Sequence, residues 1–326
     1  IILSTGLIND IFTLNKTYYG TDFAVTVKSI LFLKYLLLYL VIRFLLEREI
    51  IDLKFFFITC SVASIFVCFD LFYQYIFDVD IFGNKTLPGR KLGGPFGDEL
   101  IAGGFVQRFS IFSFFLLPLY YADKTYKFIK YIIPILFIIF FIGIILSGNR
   151  MPLLLFIFCV TLILIFQKQT RKFFLPFIVI FPIIFFSVLS LNDKAKSNFK
   201  NFYTQVTKMA IAIVDKDFQS KSTPQYFKEF ATFYDTWLIN KYIGGGIKSF
   251  RYYCHVRPNI DPKSKFVCNM HPHNYYLEIL TETGMVGFLT IITIFSIVLY
   301  QSLYKKYFSN SSLQYNHFTV PFIFLF

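Results

Sequence analysis

Apolar residues follow one another in long, nearly unbroken runs along most of this chain. Runs of about 20 residues predict membrane-spanning helices, because a helix of that length crosses the hydrocarbon core of a bilayer. We place seven spans at about 27–46, 55–77, 100–122, 128–147, 151–167, 173–191 and 275–300, and an eighth that begins near His317. The pattern therefore predicts an all-α fold, a polytopic bundle of about seven to eight transmembrane helices.

The only sizeable polar segment between these predicted spans is the loop 192–272. Within it, Phe199, Phe202 and Tyr203 recur at roughly helical spacing among lysines, which predicts amphipathic helices that lie along a membrane surface. We interpret residues 1–326 as a single membrane domain with this loop inserted. Since the chain begins without a methionine and stops inside an apolar run, we expect spans to be missing at one or both ends.

Positive charge in the short loops predicts the orientation of the spans. Lys and Arg outnumber Asp and Glu by 32 to 19, a formal net charge of +13. The short basic loops carry Arg43, Arg48 and Lys54; Lys124, Lys127 and Lys130; Lys168, Arg171 and Lys172; and Lys305 and Lys306. By the positive-inside rule these loops are cytoplasmic, so the loops 78–99, 148–150 and 192–272 face outward. The expected partners of this charge are membrane lipids and lipid phosphates rather than nucleic acid.

The composition excludes an ordinary soluble domain. Hydrophobic residues make up 56% of the chain, 46 residues are Phe, and the mean hydropathy is +0.60. Cys254 and Cys268 share the large loop, and an extracytoplasmic location would allow them to form a disulfide. Cys-x-x-Cys spacing is absent from the sequence, which argues against a zinc site.

The first candidate for chemistry is the segment that runs from the large loop into the last predicted span. His273 follows Pro272 and precedes Asn274, and we expect it at a helix N-terminus, where the helix dipole disfavours the imidazolium form. A neutral imidazole there is a competent general base near pH 7. His271 lies beside it, and Glu278 lies one turn beyond Asn274 on the same face. The alternative is that the histidines are interfacial residues that cap the helix.

Three further segments could bind an anion. The run Gly244–Arg251 contains three consecutive glycines followed by Lys and Arg, and could bring backbone N–H groups close to a phosphate. Its alternative is a flexible turn. Arg150 begins a span on the outer side, where it could clamp a diphosphate or merely extend to the interface. The outer loop Gly89–Glu99 is rich in glycine and carries Arg90.

Asp78 and Asp80, two residues apart at an outer span end, resemble an Asp-x-Asp metal motif. Such a pair arises easily by chance, and no other carboxylate cluster lies near it in the sequence. We therefore predict neither a metal nor another cofactor. A metal-dependent transferase that uses these two acids is the weaker alternative.

Together these segments resemble the O-antigen ligase and O-antigen polymerase superfamily. The signature is His-Asn, nine residues, then Gly-x-x-Gly, at positions 273–287, preceded by a loop element at Gly244–Arg251. The stretch Gly94–Glu99 and the turn Ser147–Arg150 are also similar to segments of that family. The resemblance covers most of the chain, roughly residues 80–300.

The resemblance implies a multispan glycosyltransferase at the periplasmic face of the bacterial inner membrane. It would move a glycan from undecaprenyl diphosphate to an acceptor hydroxyl, without a nucleotide sugar or a metal. His273 would activate the acceptor, and Arg150, with Arg251 or Arg90, would stabilise the diphosphate. The substrate-binding set that we predict comprises Arg90, Arg251, Asn274, Gly244, Gly246, Glu278 and His271.

Two acceptors remain possible for such a transferase, and a transporter is the alternative from a different functional class. A ligase would use a lipid A–core sugar, whereas a polymerase would use another lipid-linked glycan. Phe288 and Leu289 depart from the residues that ligases often carry after the glycine motif, which weakens the ligase against the polymerase, although the ligase still leads. A lipid or polysaccharide transporter should show inverted repeats and broken helices near the membrane midplane. Here the charged residues gather at the outer ends of spans, which favours chemistry.

Overall fold

The computed structural model describes residues 2–13, 23–85, 91–116, 128–166, 171–191, 193–214, 225–258, 268 and 274–301. The α-helices in this part of the chain are α1 (Ile2–Ile8), α2 (Ala24–Glu47), α3 (Leu53–Phe77), α4 (Ala102–Ser110), α5 (Ile129–Ser147), α6 (Arg150–Phe166), α7 (Arg171–Phe174), α8 (Phe177–Leu191), α9 (Asp193–Val214), α10 (Gln225–Trp237), α11 (Phe250–Tyr253) and α12 (Tyr275–Leu299). These residues form no strand beyond one isolated bridge between Val79 and Lys85. The predicted all-α class is confirmed.

Five helices in the described ranges are long and apolar enough to cross a membrane. They are Ala24–Glu47, Lys54–Phe77, Ile129–Ser147, Arg171–Leu191 and Tyr275–Leu299. The number is smaller than the predicted seven to eight. The protein is therefore a multi-pass helical membrane protein with at least these five candidate spans.

The remaining predicted spans differ from the expectation in length. The span predicted at 151–167 is α6, a shorter apolar helix. The span predicted at 100–122 begins as the nine-residue α4 and continues as a 3-10 helix at Ile111–Phe115, and its last part lies outside the described residues. The eighth predicted span, beyond His317, also lies outside them.

The chain divides into two compact units. The first unit comprises Ile1–Arg48 and Gln205–Val298, and the second comprises Glu49–Thr204 and Leu299–Phe326. The boundary at Thr204 falls inside α9, one of the two helices that the amphipathic pattern of the large loop predicted. Each unit is described below by itself.

The second unit is built around an aromatic core. The rings of Phe141 and Phe181 stack with centroids 3.9 Å apart, and Phe137 meets Phe174 edge to face at 5.1 Å. All four side chains are buried, and they join α5 to α7 and α8. Because lipid tails are as apolar as these rings, close packing rather than removal from water holds such helices together.

In the first unit, the π-helical turn Asn9–Thr13 that follows α1 supplies the cap that α2 lacks. The Phe23 side chain that precedes α2 makes no capping hydrogen bond. Instead, the Asp10 carboxylate accepts from the Thr26 N–H at 2.7 Å and from the Thr26 hydroxyl at 2.6 Å. This contact satisfies one of the free N–H groups at the start of α2 and places a negative charge at the positive end of its dipole.

Candidate active site

In the first unit, the glycine loop and the Gly-x-x-Gly motif bind each other. Gly284 has φ 63° and ψ −167°, which breaks α12 within its length. The loop N–H groups of Gly245 and Gly246 donate to Thr281 O at 2.9 Å and Glu282 O at 2.8 Å. In return, the N–H groups beyond the break, those of Met285 and Val286, donate to Lys241 O at 2.9 Å and Tyr242 O at 3.1 Å. The backbone groups that the break frees therefore find partners in the loop.

Glycine is required where the two segments cross. A Cβ on Gly244 would overlap the backbone of Glu282 and Gly284, and a Cβ on Gly284 would overlap the backbone of Tyr242. Both residues also have positive φ. The N–H of Gly244 donates to Asn240 O at 3.0 Å. All three glycine N–H groups thus bond to backbone carbonyls, so they are not available to a phosphate, which was the expected use of Gly244 and Gly246.

Charged groups collect beside this crossing. Glu282 Oε1 accepts from the Lys248 N–H at 2.5 Å, and Glu282 also interacts electrostatically with Glu278 and Arg251. Arg251 lies in the short helix α11, and its Nε is buried with no hydrogen-bond partner in the described part of the chain. The Nε–H of Arg251 can therefore still donate a hydrogen bond, and it lies near the carboxyl groups of Glu278 and Glu282.

Asn274 caps α12. Its Oδ1 accepts from the N–H of Tyr276 at 3.0 Å and of Leu277 at 3.2 Å, and α12 begins at Tyr275, where the last span was predicted to start. Asn is among the strongest N-cap residues, which explains why the helix starts after it. The predicted site residues His271, His273 and Arg90 lie outside the described residues.

A disulfide joins Cys254 to Cys268, the pair that the sequence left open. The Arg257 guanidinium donates to Cys254 O and lies 3.2 Å and 2.9 Å from the two sulfurs. Cys254 is buried in a cluster with Phe233 and Phe250, whose rings stack with their centroids 3.9 Å apart. Leu277, in the first turn of α12, packs against the same cluster. The disulfide therefore ties the chain before His273 to the cluster that supports α12.

We expect the double variant Cys254→Ser with Cys268→Ser to lose about 3 kcal/mol of stability, because a bond that closes a loop of about 15 residues restricts the unfolded chain by about that amount. Thermal unfolding in detergent measures the loss. Reductant should destabilise the wild type to the same extent and leave the double variant unchanged. An equal effect of reductant on both proteins would contradict the prediction.

In the second unit, the turn after α5 packs onto α4 and the loop before it. Asn149 Nδ2 donates to Leu100 O at 3.1 Å, and Asn149 Oδ1 accepts from Lys91 Nζ at 3.4 Å. A Cβ on Gly103 would overlap the side chains of Ser147 and Asn149, so only glycine allows this approach. The turn thus places Arg150 at the start of α6 with Lys91 nearby.

Lys91 is half-buried next to a like charge. Burial lowers the pKa of its ammonium group, and the Arg150 guanidinium lowers it further. No described carboxylate contributes to the shift. The two like charges repel each other, and both would be stabilised by a bound anion.

Arg150 also borders an apolar cavity of about 730 Å³. Its guanidinium carbon lies 5.6 Å from the centre of the Phe202 ring. The other lining residues come from α5, α6, α8 and the start of α9 and are nearly all hydrophobic; they include Leu153, Ile157, Phe185 and Phe199. Such a cavity suits a ligand with an apolar chain and an anionic end at Arg150.

The Asp-x-Asp pair is engaged within its own turn. Asp80 is buried, and its two carboxylate oxygens accept from the backbone N–H of Asn84 at 2.7 Å and from the Asn84 side chain at 2.8 Å. Asp78 ends α3 with φ 58°. In the described part of the chain, no group of three or more His, Cys, Asp or Glu side chains is placed to hold a metal.

Two charged residues of the candidate site, Lys91 and Glu282, were not selected from the sequence. The loop Gly89–Glu99 was singled out with Arg90 as its candidate, because nothing in the sequence distinguishes two adjacent cations. Glu282 was visible as an acid near the start of a span. Nothing in the sequence indicated that the Lys248 N–H would bind its carboxylate.

A family model described as O-antigen ligase matches residues 135–292. The matched range contains Arg150, the glycine loop, Arg251, His273 and the break at Gly284. No curated protein and no solved structure matches the chain. The match indicates a glycosyltransferase-like activity of the ligase or polymerase type, with lipid-linked glycan and acceptor as substrates. The matched range is a little under half of the chain, and it supports the resemblance to the O-antigen ligase superfamily that the sequence motifs predicted.

Proposed function

We propose that the protein transfers a glycan from undecaprenyl diphosphate to a sugar hydroxyl of lipid A–core, at the periplasmic face of the bacterial inner membrane. The observation that carries the proposal is the apolar cavity of about 730 Å³ with Arg150 at its border. A polyprenyl chain needs an apolar groove, and its diphosphate needs a cation at the groove's end. In this proposal, part of the polyprenyl chain occupies the cavity, and the rest of it lies in the bilayer.

The proposed topology has seven to eight spans in this part of the protein, with residues 192–272 as a periplasmic loop. The disulfide between Cys254 and Cys268 supports this orientation, because disulfides persist in oxidising compartments. Residues 1–326 act as one membrane domain in this proposal.

The proposed reaction needs one base and a stabilised leaving group. The acceptor hydroxyl oxygen attacks the anomeric carbon of the donor sugar while its proton passes to His273. The bond between that carbon and the diphosphate oxygen breaks, and lipid diphosphate leaves with the electron pair. Arg150 stabilises the charge that develops on the diphosphate, and no metal or other cofactor is involved. Arg251, and Arg90 in the loop before Lys91, are further cations for the substrate phosphates or sugars.

In this proposal, five of the predicted binding residues support substrate binding indirectly. They are His271, Asn274, Glu278, Gly244 and Gly246. Asn274 fixes the start of α12 directly after His273. The two glycines hold the loop that carries Arg251 against the break in α12. Glu278 and Glu282 lie where a sugar hydroxyl or a guanidinium is a suitable partner.

The alternative is a polymerase that adds the glycan to a second lipid-linked unit. Phe288 and Leu289, after the Gly-x-x-Gly motif, favour it. Lipopolysaccharide from a deletion strain separates the two functions on a gel. Loss of all capped material, with polymer accumulating on its lipid carrier, indicates a ligase, whereas a single unit attached to core indicates a polymerase. An unchanged pattern would refute both.

Replacement of Arg150 by Lys should slow transfer at least about tenfold, because an ammonium group cannot form the paired hydrogen bonds of a guanidinium with a diphosphate. Transfer from a synthetic lipid-diphosphate glycan measures the effect. Arg43→Lys is the matched control, since Arg43 forms an exposed ion pair with Glu47 on α2, and such pairs contribute little. An Arg150→Lys rate equal to that of the control would make Arg150 an interfacial side chain.

A further inference from the structure

A buried asparagine links three segments of the first unit. Asn9 begins the π-helical turn Asn9–Thr13 after α1, and only 1% of its surface is exposed. Its Nδ2 group donates to Thr5 O at 2.9 Å and to Gly244 O at 3.1 Å. Its Oδ1 accepts from the Tyr253 hydroxyl at 3.3 Å. Both the donor end and the acceptor end of this amide are therefore engaged, and two of the three contacts join segments that are distant in sequence.

The two distant contacts of Asn9 fall on either side of Arg251. Gly244 precedes Arg251 in the glycine loop, and Tyr253 is the last residue of α11, the short helix that carries Arg251. Within the segment, Ser249 O accepts from the Tyr253 N–H at 3.1 Å. A segment that is held at both ends allows its side chains fewer positions. Asn9 therefore restricts the segment that presents Arg251.

The glycine loop also packs closely against two helices. A Cβ on Gly246 would overlap the side chain of Val25, which is fully buried in the first turn of α2. The N–H of the same glycine donates to Glu282 O in α12 at 2.8 Å. Gly246 thus contacts α2 and α12 at once, and the loop cannot shift toward α2 without a clash. The hydrogen bonds of Asn9 act on a loop that is already confined.

Arg251 is a charged side chain carried by this anchored segment. Its Nε is buried and has no hydrogen-bond partner within the described ranges, and its guanidinium interacts electrostatically with Glu282. A group that must meet a substrate is most effective when it is already in place, because a displacement of about 1 Å can cost about a hundredfold in rate. The anchoring contacts of Asn9 are suited to that purpose.

We propose that Asn9 is a positioning residue, which holds the glycine loop and α11 so that Arg251 meets the substrate of the transfer reaction. The inference rests on the proposed function. Asn9 lies outside the range 135–292 that the family model matches, so the match does not assign it a role. Asn9 acts through its contacts with Gly244 and Tyr253, and it does not itself touch the reacting atoms.

Transfer kinetics of the full chain in nanodiscs separate positioning from folding. Asn9→Ala should raise the donor KM about tenfold, because Arg251 is no longer held in its binding position, whereas a loss of folded protein alone would lower kcat and leave KM unchanged. Asn201→Ala is the matched control, since Asn201 lies exposed on α9 and its replacement should leave both constants unchanged. If Asn9→Ala does not fold, Tyr253→Phe removes one of the same contacts and should raise KM about threefold. A wild-type KM in the variant that folds would overturn the proposal.

A double-mutant cycle tests whether Asn9 acts through Arg251. Arg251→Gln should raise the donor KM at least as much as Asn9→Ala does. The combined variant should then match Arg251→Gln alone, because the anchor has no guanidinium left to position. Effects that multiply in the combined variant would overturn the proposal, since Asn9 would then support another part of the site.

Amide hydrogen exchange reports on the anchor without any substrate. The N–H groups of Gly245 and Gly246 should exchange at least about tenfold faster in Asn9→Ala than in the wild type. Faster exchange, together with a wild type that transfers no glycan, would keep Asn9 as the anchor of the loop and refute the proposed transferase function. Transfer by the wild type, with exchange and KM both unchanged in Asn9→Ala, would keep the function and refute the assignment of Asn9. Faster exchange with an unchanged KM would also refute it, because Asn9 would then be a structural contact only.

Discussion

His273→Ala is expected to lower the transfer rate about a hundredfold to ten-thousandfold, the contribution typical of a positioned general base. A sugar hydroxyl is a weak nucleophile, and without a base its proton has no acceptor as the new bond forms. The variant should insert and fold normally, and donor binding should change little. The measurement is transfer from a synthetic lipid-diphosphate glycan to purified acceptor, with donor affinity determined separately.

His255→Ala is the control for this experiment. His255 lies exposed in the same large loop, directly after Cys254, and its replacement should leave transfer unchanged. Substantial transfer by His273→Ala would rule out a base at this position. A fall in donor binding equal to the fall in rate would assign His273 to binding instead.

Gly284→Ala is expected to destabilise the first unit by on the order of 3 kcal/mol and to abolish transfer. Its φ and ψ of 63° and −167° lie in a region that is essentially restricted to glycine. An added Cβ would also overlap the Tyr242 backbone. The loop would have to leave α12, and the hydrogen bonds from Gly245 and Gly246 would be lost. Thermal unfolding in detergent and the transfer assay measure both effects.

Gly104→Ala provides the matched control. Gly104 lies in α4, its φ is not positive, and the nearest atom to an added Cβ is 4.0 Å away on Pro152. Alanine is the better helix former there, so the unfolding temperature should stay level or rise. If Gly284→Ala unfolds at the same temperature as Gly104→Ala, the break in α12 does not depend on glycine.

The membrane character of the fold was predictable because it depends on local composition. Each of the five candidate spans overlaps a run that the sequence assigned to the membrane. The number of spans was less predictable. Residues 100–122 read as one apolar run, yet α4 ends at Ser110 and a 3-10 helix follows. Hydropathy averages over a window and does not detect a change of helix type.

The candidate site was predictable as separate motifs but not as an arrangement. The glycine run and the Gly-x-x-Gly motif were both recognised, and an anion was the expected partner of the first. Its N–H groups instead bond to the carbonyls of α12. Likewise, the sequence did not single out Asn274 as a cap of α12, which its side chain provides. Capping follows from which side chain can reach the first free N–H groups.

The sequence by itself determined an all-helical membrane protein, the family motifs at 273–287, and the positions of Arg150 and Arg251. Only the tertiary structure decided that the glycine loop closes onto α12, that Cys254 pairs with Cys268, and that Lys91 contacts Asn149, the residue before Arg150. The division has a physical reason. Apolar runs and short motifs depend on residues within a few positions of one another, whereas these contacts join residues that are distant in sequence and meet only after the helices pack.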